Sequence, residues 1–158
     1  AFRSTWRGVH IGLALLGDAA FAVAGVVSII YLVQEKRLKT KKRGRQIAGL
    51  SVLPALEMLD RMSDQLFRWG FVLMSLGLLT GSLYSKHVWD RYWTWDPRNT
   101  VSLAVWIVYA IMLQARLMIG WRGRKAAILT VLGVIAILLA FVGLGLAGVG
   151  AHGRYDLS

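Results

Sequence analysis

Apolar residues gather into four long stretches separated by short polar or basic ones. The first stretch runs from about Ile11 to Val33 and holds one charge, Asp18. The second runs from about Phe67 to Ser85, the third from about Thr100 to Ile119, and the charge-free fourth from Ala126 to Gly150. Each is close to the ~20 residues a helix needs to cross ~30 Å of hydrocarbon. No barrel-type alternation of apolar and polar residues is present, so helices are the reading. The expected fold is all-α, an integral membrane protein with one domain over 1–158. Its transmembrane helices span about 11–33, 67–85, 100–119 and 126–150. In the fourth, Gly133, Gly143, Gly145 and Gly148 are placed to permit close helix contact. Before the second stretch, GLSVLPALEMLDRMSDQLF carries Leu53, Leu56, Leu59 and Met62 at helical spacing, opposite Glu57, Asp60, Arg61 and Asp64. That pattern predicts an amphipathic helix over about 50–66 lying on the inner surface, with an anchoring and orienting role.

Composition agrees. Of 158 residues 56% are hydrophobic and 17% charged, where a soluble domain carries about a quarter charged. The net charge of +11 raises nucleic acid as a partner. The basic residues flank apolar stretches, however, where lipid headgroups and the positive-inside rule account for them, and nucleic acid is set aside. Cysteine is absent, which excludes disulfides, thiolate metal sites and thiol redox chemistry. KRLKTKKRGR (36–45), Arg61, Arg68, Arg116, Arg122, Arg124 and Lys125 supply thirteen of the nineteen Lys and Arg to one side. Arg3, Arg7, Lys86, Arg91, Arg98 and Arg154 make up the other six. The richer side is expected to be cytoplasmic, which puts both termini and the loop 86–98 outside.

That outer loop reads KHVWDRYWTWDPRNT, with Trp89, Tyr92, Trp93 and Trp95 inside seven residues. An interfacial aromatic belt is the plain reading. A belt scatters its aromatics over many helix ends, whereas this cluster sits in one loop and suits a large flat ligand. Pro97 fits the first turn of the third helix, and Asp96 stands where a carboxylate could cap it. His10 and His152 lie at the outer ends of the first and fourth stretches, level with this loop. Each alone reads as a polar interfacial residue; together they could ligate a haem iron from both faces. His87 reads as a surface residue, and no catalytic constellation is present. Asp18, about two turns into a span, is costly unless protonated, paired or facing a polar cavity. It reads either as a contact for a ligand, proton or partner helix, or as a residue buried against a neighbour's donor.

WTWDPRNT resembles the WxWDPKET signature of the cytochrome c assembly family of CcsA or ResC type, the haem-handling membrane proteins with a tryptophan-rich external domain. HIGLALLGDAAFAVAGVVSIIYLVQEKRLK looks like the family segment with the first external histidine, and LPALEMLDRMSDQL like its inner amphipathic stretch. WIVYAIMLQARLMIGWRGRKAAIL resembles the region after the motif, and GVGAHGRYDL matches the place of the second external histidine. The resemblance covers nearly the whole chain, as the C-terminal core of the family. It implies a non-covalent b-type haem at the outer face, with His10 and His152 as axial ligands and Trp89, Trp93, Trp95 and Asp96 cradling the macrocycle. It also implies presentation of that haem to apocytochrome c.

Four departures stand beside the match. Asn99 replaces the Glu of the motif, Asp18 stands where Tyr is common, and Gln114 where His is common. The further N-terminal helices with intramembrane histidines, usual in the family, are not in these 158 residues. The expected function is therefore haem holding for cytochrome c maturation, in a bacterial cytoplasmic or thylakoid-like membrane. Lipid, other membrane subunits and apocytochrome c or cytochrome c are the expected partners. The alternative is a structural or electron-transfer subunit of a larger respiratory or photosynthetic complex that keeps the assembly-protein fold. A HemX-like regulatory role is a further option.

Overall fold

The computed structural model describes residues 2–41 and 53–152, with side-chain surroundings over 5–40 and 55–146. Four helices follow one another: α1 Phe2–Lys41, α2 Leu53–Trp89, α3 Pro97–Leu117 and α4 Arg124–His152. All four are long and apolar enough to cross a membrane, and the protein is a multi-pass membrane protein. The stretch 50–66 is not a helix of its own among the described residues. From Leu53 it runs without a break into the second span. Its polar face explains why: Ser63 is buried, and Asp60 and Asp64 turn toward Arg116 on α3. Residues 50–52 lie outside the described residues.

The pairing of α1 with α2 is built on a 3-4 spacing in which small residues alternate with a few large ones. On α1 the row is His10, Ala14, Gly17, Phe21, Ala24 and Ser28; on α2 it runs Gly81, Gly77, Met74, Gly70, Phe67 and Ser63. Such spacing keeps one seam facing its partner along both helices. A Cβ built on Gly17 would lie 3.1 Å from the Met74 nitrogen and 3.2 Å from the Gly70 carbonyl. One built on Gly77 would lie 3.3 Å from the Ala14 nitrogen. Backbone therefore touches backbone, the form of packing that holds helices together where lipid removes the hydrophobic drive between them. Along the same seam Ser28 and Ser63 share a hydrogen bond of 3.2 Å.

Tyr109 ties α3 into this seam. Its hydroxyl donates to the Gly17 carbonyl at 3.1 Å, and its ring packs on Phe21 and Phe67 with centroids 3.9 and 5.6 Å away. The route passes over Gly70, where a Cβ would stand 2.6 Å from the Tyr109 oxygen. In α4, Gly133 receives the Met112 sulfur, which a Cβ would meet at 2.5 Å. Gly143 and Gly145 would meet nothing within 4 Å, so only one of those three glycines makes the expected close contact. The surroundings of Gly148 lie outside the described residues.

At the basic end of the bundle, buried Arg116 donates to Ser63 Oγ (3.0 Å) and Thr130 Oγ1 (3.1 Å). It also lies 4.9 Å from the centre of the Phe67 ring. Asp60 adds a bond from the backbone N–H of Gly123, in the α3–α4 turn, at 3.1 Å. That turn needs glycine twice, since Gly120 and Gly123 have φ of +71° and +64°.

Candidate functional site

The opposite end of the bundle carries the tryptophan loop and the start of α1. Two ring N–H groups stitch α1 to α2 there. Trp6 Nε1 donates to the Thr80 carbonyl at 3.1 Å. The Nδ1 of His10 lies 2.8 Å from the Gly77 carbonyl oxygen. A ring nitrogen facing a carbonyl must be the donor, so in neutral His10 the lone pair is on Nε2. No hydrogen bond to Nε2 is found among the described residues. His10 is half-buried, a different setting from the exposed His87.

The loop between α2 and α3 is fastened at both ends. α2 stops at Asp90, in the left-handed region with φ +57°, which Asp tolerates better than most residues. Its carboxylate pairs with Lys86 at 2.5 Å, and the Lys86 ammonium lies 5.3 Å from the centre of the Tyr92 ring. Ser82 Oγ donates to the Tyr92 carbonyl at 2.8 Å, which lays the loop along the end of α2. Asn99, in the first turn of α3, donates to the Thr94 carbonyl (3.1 Å) and to Thr94 Oγ1 (2.8 Å). Asp96 occupies the N-cap position with extended backbone but makes no side-chain capping bond. Its carboxylate instead accepts from Thr94 Oγ1 at 3.0 Å. The capping role expected for this side chain is thus replaced by a bond inside the loop.

The tryptophans divide by burial. Trp89 and Trp95 are 62% and 77% exposed, while Trp93 is half-buried. Trp93 and Trp95 meet edge to face with centroids 6.0 Å apart. Among the described residues the buried indole N–H of Trp93 finds no hydrogen-bond partner, and neither does the hydroxyl of buried Ser85. Each orphaned polar atom costs about 1–3 kcal/mol.

His10 and the loop thus lie at one end of the bundle, and α4 runs to His152 at that same end. The side chain of His152 lies outside the described residues. Beyond Ile137 no described residue of α4 is buried, so 138–146 lie outside the packed core. Among the described residues no three His or carboxylate side chains converge as an ion-chelating group. No hydrogen bond or ion pair of Asp18 is found among them either, and it is half-buried. Sequence reasoning passed over Gly77, Gly81, Ser85 and Trp6. The signal for the first two was present, as glycines one turn apart with a third, Gly70, seven residues before Gly77. For Ser85 no signal existed.

The family model described as cytochrome C assembly protein matches residues 1–152. The chain is 31% identical over 170 residues to a cytochrome c biogenesis protein CcsA of Synechococcus sp. (strain CC9902), which covers 96% of this chain and 56% of that relative. It is 32% identical over 174 residues to the protein of the same name from Prochlorococcus marinus (strain NATL1A), covering 96% of this chain and 55% of the relative. The chain therefore spans about half the length of the curated relatives it matches. No solved structure matches it.

Proposed function

The chain belongs to the cytochrome c assembly protein family, and on that premise we propose that it holds haem at the outer membrane face for cytochrome c maturation. The observation that carries this is the ring of His10, with Nδ1 spent on the Gly77 carbonyl and Nε2 left as the open nitrogen. The unpartnered Trp93 N–H at the same end of the bundle supports it. His10 and His152 would supply the two axial nitrogens. Trp89, Trp93 and Trp95 would cover the macrocycle, and Asp96 would keep the loop closed through Thr94. The open flank of α4 beyond Ile137 supports room for a flat group between the ends of α1 and α4. Bound there, a bis-histidine haem b supplies a low-spin iron of tuned potential.

In this reading the chain's own residues bind and orient. His10 offers a fixed lone pair, the exposed indoles exclude water from one face, and the Trp93 N–H meets an acceptor on the ligand. The charge asymmetry of the sequence supports a cytoplasmic position for 36–45 and an outer one for both termini, in a bacterial cytoplasmic or thylakoid-like membrane. Apocytochrome c is the proposed recipient, and further membrane subunits are proposed to cover the lipid-exposed flanks. The test is the visible spectrum of detergent-purified protein. Wild type should show a low-spin spectrum with sharp reduced bands, and His10→Ala or His152→Ala a high-spin spectrum or haem loss. A wild-type protein that takes up no haem refutes the proposal.

One observation favours a second reading, a structural or electron-transfer subunit that retains its haem or has lost it. Asn99 closes the loop by donating to a carbonyl, a bond that an ionised Glu, the residue of the family motif, cannot make. Incubation with apocytochrome c separates the two: transfer of haem supports the maturation role, and retention supports the subunit.

A further inference from the structure

The ring of His10 rests on α2 where two glycines stand one helical turn apart. Gly77 presents its carbonyl 2.8 Å from Nδ1. Gly81 presents nothing, and a Cβ there would lie 2.6 Å from His10 Cε1, 3.0 Å from Nδ1 and 3.3 Å from Nε2. A side chain at position 81 must therefore displace the ring, and that displacement acts directly on its bond to Gly77. The carbonyl is reachable because the helices are almost in backbone contact, with a Gly77 Cβ position 3.3 Å from the Ala14 nitrogen. One turn toward the α1 N-terminus, the Trp6 bond to the Thr80 carbonyl holds α1 at the same height.

We infer that Gly81 and the Gly77 carbonyl are positioning residues of the ligand site: they hold His10 as the Nδ1–H tautomer and leave Nε2 as its ligating nitrogen. The identity of the ligand rests on the haem reading above; the tautomer rests on the geometry alone. Donation from Nδ1–H to an acceptor fixes the ring orientation and raises the basicity of the opposite nitrogen. Loss of such a partner typically costs about 10- to 100-fold in ligand affinity. The structure thus uses a helix carbonyl for the orienting role that a carboxylate plays in many metal sites.

The experiment reads the tautomer before any haem is added. Haem-free protein labelled with 15N-histidine is examined by NMR in detergent, at a pH where histidine is neutral, with His10→Gln to assign the signal. Wild type should show Nδ1–H and an unprotonated Nε2 at His10. Gly81→Ala should lose that pattern and retain haem about 10- to 100-fold more weakly. Gly17→Ala crowds the same seam away from His10, 3.1 Å from the Met74 nitrogen, and should keep the pattern. If Gly81→Ala fails to fold, the double variant His10→Ala, Gly81→Ala should recover the helical content of His10→Ala, because the ring it collides with is gone. An Nε2–H tautomer in wild type overturns the inference. So does a Gly81→Ala protein with unchanged tautomer and haem retention, or equal damage from Gly81→Ala with and without the His10 ring. A wild-type Nδ1–H tautomer in a protein that binds no haem instead sinks the haem reading and leaves the tautomer assignment standing, which keeps the two failures apart.

Discussion

Gly70 and Tyr109 form a lock whose energetics can be worked out in advance. The Tyr109 hydroxyl crosses the α1–α2 seam to the Gly17 carbonyl, and it passes where a Gly70 side chain would be, 2.6 Å from the built Cβ. Gly70→Ala should gain about 1 kcal/mol of helix propensity and lose about 1–3 kcal/mol to overpacking, for a net loss of about 0–2 kcal/mol. Tyr109→Phe removes one interhelical hydrogen bond, about 0.6–1.7 kcal/mol in a membrane protein. In the double variant the colliding oxygen is gone, and the nearest remaining atoms, Ala20 Cβ and Tyr109 Cζ, lie 3.3 Å from the built Cβ. Its cost should then approach that of Tyr109→Phe alone or fall below it. The two changes should couple favourably by about 1–2 kcal/mol, well above the ~0.3–0.5 kcal/mol scatter of independent sites. The assay is unfolding in mixed detergent micelles followed by helical circular dichroism. Additivity within that scatter would show that Tyr109 does not pass over Gly70, and would sink the packing account of α3.

Three further outcomes are expected. Arg116→Ala removes the donor to Ser63 and Thr130 and the cation beside Asp60 and Asp64; it should cost about 3 kcal/mol, and Arg116→Met, which keeps the volume, clearly less. Equal losses for both would assign the effect to the lost charge and hydrogen bonds rather than to volume. Asn99→Glu sets an acceptor against the Thr94 carbonyl and competes with Asp96 for the Thr94 hydroxyl proton. It should speed hydrogen exchange and proteolysis in residues 90–96 with global stability unchanged, whereas unchanged protection of the loop would rule out the Asn99 closure. A C-terminal tag should be reached from outside intact spheroplasts and a tag within 42–45 only after lysis; the reverse pattern would overturn the proposed orientation.

The four spans, the helical class and the crowding of aromatics between the second and third were legible because each is a property of composition over a window. Solvent, not a neighbour, decides whether twenty apolar residues in a row cross a membrane. The separate surface helix over 50–66 was misread for a related reason. Its polar face looked solvated, but Asp60, Ser63 and Asp64 have a partner in Arg116, 52 to 56 positions further along the chain, and that pairing lets the helix run on unbroken. The glycines of the fourth span were legible as small and not as used. Among the described glycines of that span only Gly133 meets a neighbour, the Met112 side chain, while contact with another helix's backbone is made by Gly17 and Gly77 on the first two helices.

At the candidate site the sequence determined which residue types are available: a histidine at the end of a span, tryptophans in one loop, a proline to start a helix. Tertiary structure decided what each can do. That Nδ1 of His10 is the spent nitrogen follows from a carbonyl 67 positions away. That the Trp93 N–H finds no partner among the described residues while Trp89 and Trp95 stay exposed follows from how Ser82 and Asn99 fold the loop down. That Asp96 serves Thr94 rather than the helix start follows from the same closure. The physical reason is common to all three. Local pattern fixes periodicity and solvation, whereas a hydrogen bond needs one donor and one acceptor within about 3 Å, and only the packed helices bring those atoms together.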